Sequence, residues 1–308
     1  MSRTVAKSER RPLISRKSLP FYLMILIPVI LTLIYNYGPM FGLVMAFQNY
    51  NPAKGFIHSE WVGLLHFRRM MEMPDIKEII FNTLRISIGK IIVTTLAAIV
   101  TALLLNEVRS RGLKRFVQTS IYFPYFLSWV ILGGILKDIL AREGLLNQFL
   151  AIFGAKPVIL LGDAKRFPWL LIWSETWQQT GFNTIVYLAA IANINPNLYE
   201  AAAIDGAGRI RQTWHITLPG MSTTIVLMAI LSMGGILSAG LDQILMLYSP
   251  AVYSTADVID TWVYRAGLRS AQYSLATAVG LLRSVVSFIM ISVSYFVANK
   301  TMGYRLFG

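Results

Sequence analysis

Glu175, Gln178, Gln179 and Asn183 stand at i, i+3, i+4 and i+8, which puts one carboxylate and three amides on a single helix face. Trp173 and Trp177 fall in the same turns. Amides and a carboxylate hydrogen-bond sugar hydroxyls, and indole faces pack on sugar rings, so the stripe has the chemistry of a carbohydrate path. The same residue types also hold membrane helices together, and Trp gathers at bilayer interfaces regardless of function, so both readings stand. Arg85 and Lys90, beside Asn82, and Arg283 are further polar residues in apolar surroundings, where ionisable groups are costly and are functional candidates by default. Arg85 equally suits snorkelling to headgroups. If Arg85 and Arg283 line a path, their charge favours acidic sugars such as uronate oligomers; Glu175 argues against this unless it neutralises one of them.

Bond-making chemistry is not in view. His58, His66 and His215 have no partners at metal-ligand spacing, and no nucleophile–base pair stands out. There is no G-x-x-x-x-G-K-[ST] to cradle phosphates, and Asp205-Gly206-Ala207-Gly208 lacks the Lys and reads as a turn. The expectation is a chain that is not itself an enzyme and carries no cofactor.

The elements that position these residues belong in a bilayer. Hydrophobic residues are 55% and charged residues 14%, with a mean hydropathy of +0.57, where a soluble chain carries about a quarter charged residues. The formal charge of +13 is split between a tail and short loops with no contiguous basic face, so it points to anionic lipid rather than nucleic acid. The absence of cysteine removes disulfides and thiolate metal sites. Six stretches are long enough to cross, near 21–47, 81–105, 119–140, 167–192, 221–247 and 276–298. The expected fold is all-α: a polytopic membrane protein of six transmembrane helices. Arg3, Lys7, Arg10, Arg11, Arg16 and Lys17 precede the first span, and Arg109, Arg111, Lys114 and Arg115 follow the second. Placing both inside the cell gives cytoplasmic N- and C-termini and puts the loop over 195–219 in the cytoplasm.

That loop has the make-up of a docking knob. Asn197, three residues before Glu200, suits an N-cap with a reciprocal glutamate. Pro196 blocks continuation of the preceding helix, Ala201, Ala202 and Ala203 favour a smooth new one, and Gly206 permits a reversal. A second short helix from Arg209 is expected to end at Leu218-Pro219.

Glu200-Ala201-Ala202, Gly206 and Ile216-Thr217-Leu218-Pro219 together resemble the EAA loop of permease subunits of binding-protein-dependent ABC importers, the family of the maltose transporter. Phe123-Pro124-Tyr125-Phe126-Leu127-Ser128-Trp129 and Gly181-Phe182-Asn183 resemble segments of its members that import complex oligosaccharides and polysaccharide fragments, and the likeness runs from about Leu19 to the C-terminus. The resemblance implies a chain forming half of a translocation path for oligosaccharide, with a second and often non-identical permease as the other half. It implies two ATPase subunits that hold ATP and Mg2+ and grip the loops, and an external solute-binding protein that delivers the sugar. Glu200, Ala201, Ala202 and Gly206 would form the coupling helix, and Pro219 would end the loop. In these terms 1–20 is a cytoplasmic basic tail, 21–300 the permease domain, 195–219 the EAA loop and 301–308 a cytoplasmic C-terminus, in a bacterial cytoplasmic (inner) membrane.

The segments 48–78 and 141–166 read as surface helices and turns facing the solute-binding protein, and Asp242, Gln243 and Asp257 as candidates for its rim or as ordinary solvated loop. The alternative function is an ion-coupled secondary transporter, which places carboxylates at the bilayer midplane; Glu175 is the one carboxylate placed in a span here. A membrane scaffold without transport leaves the loop and stripe unexplained.

Overall fold

The computed structural model describes residues 19–302. Arg3, Lys7, Arg10, Arg11, Arg16 and Lys17 of the basic tail, and the C-terminal segment beyond Met302, lie outside those residues. The described chain is all-α apart from one antiparallel bridge, Gln48 opposite Trp61 and Asn49 opposite Glu60.

Apolar composition dictates the first span. Helix runs from Pro20 to Phe47, passing from α through a π-turn at Leu33–Tyr37 into a 3-10 segment, Gly38–Phe47. Its side chains are exposed nearly all round, and a helix apolar on every face belongs in lipid. The second span is the single helix Ile76–Glu107; 32 residues give about 48 Å, longer than the hydrocarbon core. The fourth, Phe167–Ala192, packs along it in the most extensive helix pairing of the fold, with Ala98 and Ala102 letting Tyr187 and Ile191 approach. The sixth is Tyr273–Met302. Among the described residues, four helices are long and apolar enough to cross a membrane unaided, and a bent pair makes a fifth candidate. Phe167–Ala192 falls outside that set because its polar residues lower its hydropathy.

Two expected spans are not continuous helices. The stretch over 119–140 is broken: Arg111–Phe126 and Trp129–Ile152 meet at 104°. Pro124 supplies no amide, and Ser128 caps a new helix by accepting from the Ile131 N–H at 3.4 Å. The stretch over 221–247 is also broken. Its helix ends at Met233, residues 234–240 leave helical geometry, and a short helix resumes at Leu241–Leu247. Gly234 and Gly235 open the gap and Gly240, with φ +87°, closes it.

Candidate functional site

Two polar regions stand out, one in the bundle and one on the loop. The first is a cavity of about 380 Å3, at the small end of ligand sites, between spans two, four and five. Span four presents Glu175, Gln179 and Asn183 to it, as one-face spacing requires. Span two adds Ser87, Lys90 and Thr94, and the break in span five adds Gly235, Ser238, Ala239 and Gly240. Unwound backbone at membrane depth is stable only where it is bonded within the protein or lines a wet cavity, and this stretch does both.

Lys90 is the centre of the site. It is only 7% exposed, yet its Nζ donates to the Ala239 carbonyl at 2.6 Å, to Gln243 Oε1, and to Glu175 Oε2 at 3.4 Å. A buried ammonium is stable only with such a set of acceptors. Gln243 is held in turn, its Nε2 donating to the Leu171 carbonyl and the Ser174 hydroxyl, each at 2.8 Å. Thr94 and Thr176 hydroxyls meet at 3.1 Å across the same helix pair.

The structure separates the remaining stripe residues. Gln178 is buried and turned away from the cavity; its Nε2 donates at 3.1 Å to the Leu127 carbonyl, left free where span three breaks. Trp173 and Trp177 are 60% and 50% exposed, on the outside of this subunit, because i−2 and i+2 from Glu175 lie on the far side of a helix. Arg85 is exposed and does not line the cavity. Arg283 borders a separate pocket with Tyr264, Tyr273 and Thr277, and is ion-paired to Asp260. Gln243 and Asp257 are buried rather than on a rim. Asp257 Oδ1 and Oδ2 take the Arg265 guanidinium at 2.7 and 2.5 Å, and Thr261 donates to Oδ1 at 2.6 Å. With Asp257 and Asp260 buried, Glu175 is not the sole carboxylate inside the bundle. Lys90 was visible in the sequence as a cation in an apolar span, but its partners lie up to 153 residues away. Asp260 carries no such local signal, because it follows span five in a stretch that no hydropathy run marks.

The two sequence segments 123–129 and 181–183 come together. Tyr125 and Phe182 stack with centroids 4.4 Å apart and planes 8° from parallel. Gly181 lies against the backbone of Ile121 and Tyr122, where no Cβ fits.

The second region is the loop. Asn195, not Asn197, is the N-cap: its Oδ1 accepts the Asn197 amide at 3.0 Å, and Pro196 occupies the first turn. The helix Pro196–Ile204 ends in a Schellman turn. Ala207 N–H reaches the Ala202 carbonyl at 2.8 Å, Gly206 N–H reaches Ala203 at 3.1 Å, and Gly206 holds φ +75°. Glu200 and Ala201 are exposed and Ala202 is partly covered. Ile204, Ile210 and Trp214 stand 87%, 78% and 65% exposed around the reversal, an apolar surface left uncovered among the described residues. Arg209 pairs with Glu107 and ties the loop to the end of span two.

Pro219 does not end the loop. Helix continues from Arg209 to Met233, and a π-turn at Thr213–Thr217 absorbs the proline by shifting the hydrogen bonds to i−5, Leu218 N–H to the Thr213 carbonyl.

Residues 94–302 match the family of the binding-protein-dependent transport system inner membrane component. The chain is 41% identical to the polygalacturonan/rhamnogalacturonan transport system permease protein YteP of Bacillus subtilis (strain 168), over 96% of this chain and 94% of that one. It is 38% identical to protein LplB of the same organism, over 91% and 88%. Among solved structures it superposes, with a TM-score of 0.85 and 37% identity, on a chain of a bacterial ABC transporter involved in the import of the acidic polysaccharide alginate, covering 93% of this chain and 97% of that one. A bacterial alginate ABC transporter in complex with an alginate pentasaccharide-bound periplasmic protein matches with a TM-score of 0.84.

Proposed function

This chain belongs to the binding-protein-dependent transport system inner membrane component family, the multi-pass permease subunits of ABC importers, and from that premise we propose that it forms half of a path for acidic oligosaccharides, fragments of uronate-containing polysaccharide. A permease of this family is not an enzyme, since ATP hydrolysis belongs to a separate subunit, and membership removes the ion-coupled alternative. One observation carries the proposal: a single helix, Arg209–Met233, leaves the exposed loop and ends at the glycines that wall the polar cavity.

The loop is the surface on which an ATPase subunit docks, with Glu200, Ala201, Ala202 and Gly206 forming the coupling helix and the exposed Ile204, Ile210 and Trp214 beside them. ATP and Mg2+ sit in two such subunits. A second permease completes the path, an external solute-binding protein delivers the sugar, and the assembly lies in a bacterial cytoplasmic membrane with both termini inside. Glu175, Gln179 and Asn183 offer hydrogen bonds to hydroxyls. The acidic class rests on the relatives that carry galacturonans and alginate. It does not rest on Lys90 or Arg283, which face Glu175 and Asp260.

The test is ATP hydrolysis by the reconstituted complex with its binding protein, challenged with uronate and neutral oligomers. Uronate oligomers stimulate the wild type, and Gly206→Asp abolishes stimulation while the chain remains inserted. Stimulation by neutral oligomers alone overturns the acidic class. Unchanged stimulation in Gly206→Asp overturns the coupling role of the loop.

A further inference from the structure

The backbone of Ala239, in the break of span five, is held at both of its polar groups. Lys90 donates to its carbonyl at 2.6 Å. Across the chain, the Asp260 carboxylate lies against its amide and accepts from the neighbouring Ser238 hydroxyl at 3.5 Å. Each grip is anchored to another span, Lys90 to Glu175 on span four and Asp260 to Arg283 on span six. The order Glu175, Lys90, Ala239 backbone, Asp260, Arg283 alternates negative and positive side chains and passes through four of the spans.

Ordinary helix packing has no use for two buried ion pairs, since apolar residues of the same volume serve at least as well. The pairs make sense together with the unwound turn, where the Ala239 carbonyl has no helical partner and takes the Lys90 ammonium instead. Gly240 adds a second constraint. It holds φ +87°, and a Cβ there would lie 3.1 Å from Lys90 Nζ. The turn faces Glu175, Gln179 and Asn183 across the cavity.

We propose that Lys90 and Asp260 are positioning residues for translocation, Lys90 holding the Ala239 carbonyl and Asp260 the Ala239 amide, which together clamp the unwound turn of span five as one wall of the sugar path, a wall that moves when the clamp releases. The inference rests on the transport reading above. Neither residue need touch sugar; each acts through the backbone it holds.

The chain has no cysteine, so Ser238→Cys gives it a single thiol beside the clamp. In the complete complex in proteoliposomes, two quantities are read: sugar carried per ATP hydrolysed, and the rate at which a water-soluble thiol reagent labels this chain at Ser238→Cys. Lys90→Met and Asp260→Asn each lower sugar carried per ATP about tenfold and raise labelling by a similar factor, with normal amounts inserted. Lys90→Arg, which keeps the charge, restores most of both. A purely structural role lowers the amount inserted and leaves sugar per ATP unchanged; that result overturns the proposal. If Lys90→Met fails to insert, Ser238→Cys alone decides: labelling slowed by transported oligomer and altered when ATP is trapped supports the moving wall, and labelling indifferent to both overturns it. A wild-type complex that carries no sugar overturns the transport reading itself. A wild-type complex that transports while Lys90→Met matches it in both readouts overturns this inference alone.

Discussion

A Cβ added at Gly181 would lie 2.1 Å from the carbonyl oxygen of Ile121 and 2.8 Å from Cα of Tyr122. Both atoms are backbone, so no side-chain rotation relieves the contact, and span four must move off the broken span three. Gly181→Ala is therefore expected to destabilise by about 2 kcal/mol, within the range for overpacking. Gly134→Ala is the control, an exposed helical position with nothing within 4 Å of the new methyl. Thermal unfolding of the purified complex checks both, and equal midpoints for the two variants would refute the close approach.

Trp173 and Trp177 look towards the outside of this subunit rather than the cavity. Replacing either by Leu is expected to keep sugar-stimulated ATP hydrolysis within about twofold of wild type, as for most exposed positions. Glu175→Leu, on the cavity side, is expected to abolish it. A large loss at either tryptophan would return them to the path.

The two-pronged pair of Asp257 with Arg265 is mostly buried and is joined by Thr261. Asp257→Asn leaves the guanidinium without a counter-charge and is expected to cost about 3 kcal/mol, the low end for breaking a buried pair. Arg265→Lys keeps the charge but loses the fork, and is expected to cost less than the Asn change. Unfolding midpoints of the two variants, ranked in the opposite order, would count against this account.

His66 gives a pH dependence outside the spans. Burial holds its imidazole below the ordinary value of 6.5, with a smaller push from the Arg69 guanidinium, while the bond from Nε2 to the Gln48 carbonyl works the other way. The native ring is neutral. Its stabilising share is complete above the unfolded value of 6.5 and is lost as pH falls from there through the lower folded value. The unfolding midpoint is expected to drop as pH falls below 6.5, and His66→Gln, which keeps a donor but cannot titrate, is expected to flatten that part of the profile. An identical profile in the variant would remove His66 as the cause.

How far the sequence discloses this molecule depends on how local each determinant is. The helices at Ile76–Glu107, Phe167–Ala192 and Tyr273–Met302 are written in runs of apolar residues and are legible. The breaks are not. Pro124 and Gly234 are residue types that membrane helices tolerate, and what sustains the breaks is a distant donor: Gln178 for the Leu127 carbonyl, Lys90 for the Ala239 carbonyl. The one-face spacing of Glu175, Gln179 and Asn183 is legible for the same local reason. It misplaces Gln178, because a helix face is wider than a cavity wall. At the loop, Asn195 and Asn197 are equally good caps by type, and Pro196 in the first turn decides for Asn195. Pro219 reads as a stop only if the hydrogen bonds stay at i−4, and the π-turn shifts them.

The uninterrupted course of Arg209–Met233 has a mechanical meaning. Twenty-five helical residues make a strut of about 37 Å, stiff along its axis, with its foot in the exposed loop and its head against the turn that Lys90 holds. A strut stores little and delivers nearly all of its displacement. The irregular ring, the π-turn at Thr213–Thr217, lies at the foot, so Leu218–Met233 beyond it moves as one rigid length and carries a displacement of Leu218 to Gly234 almost undiminished. In the transport reading proposed above, the displacement of the loop and that of the cavity wall are thereby tied by one length of chain.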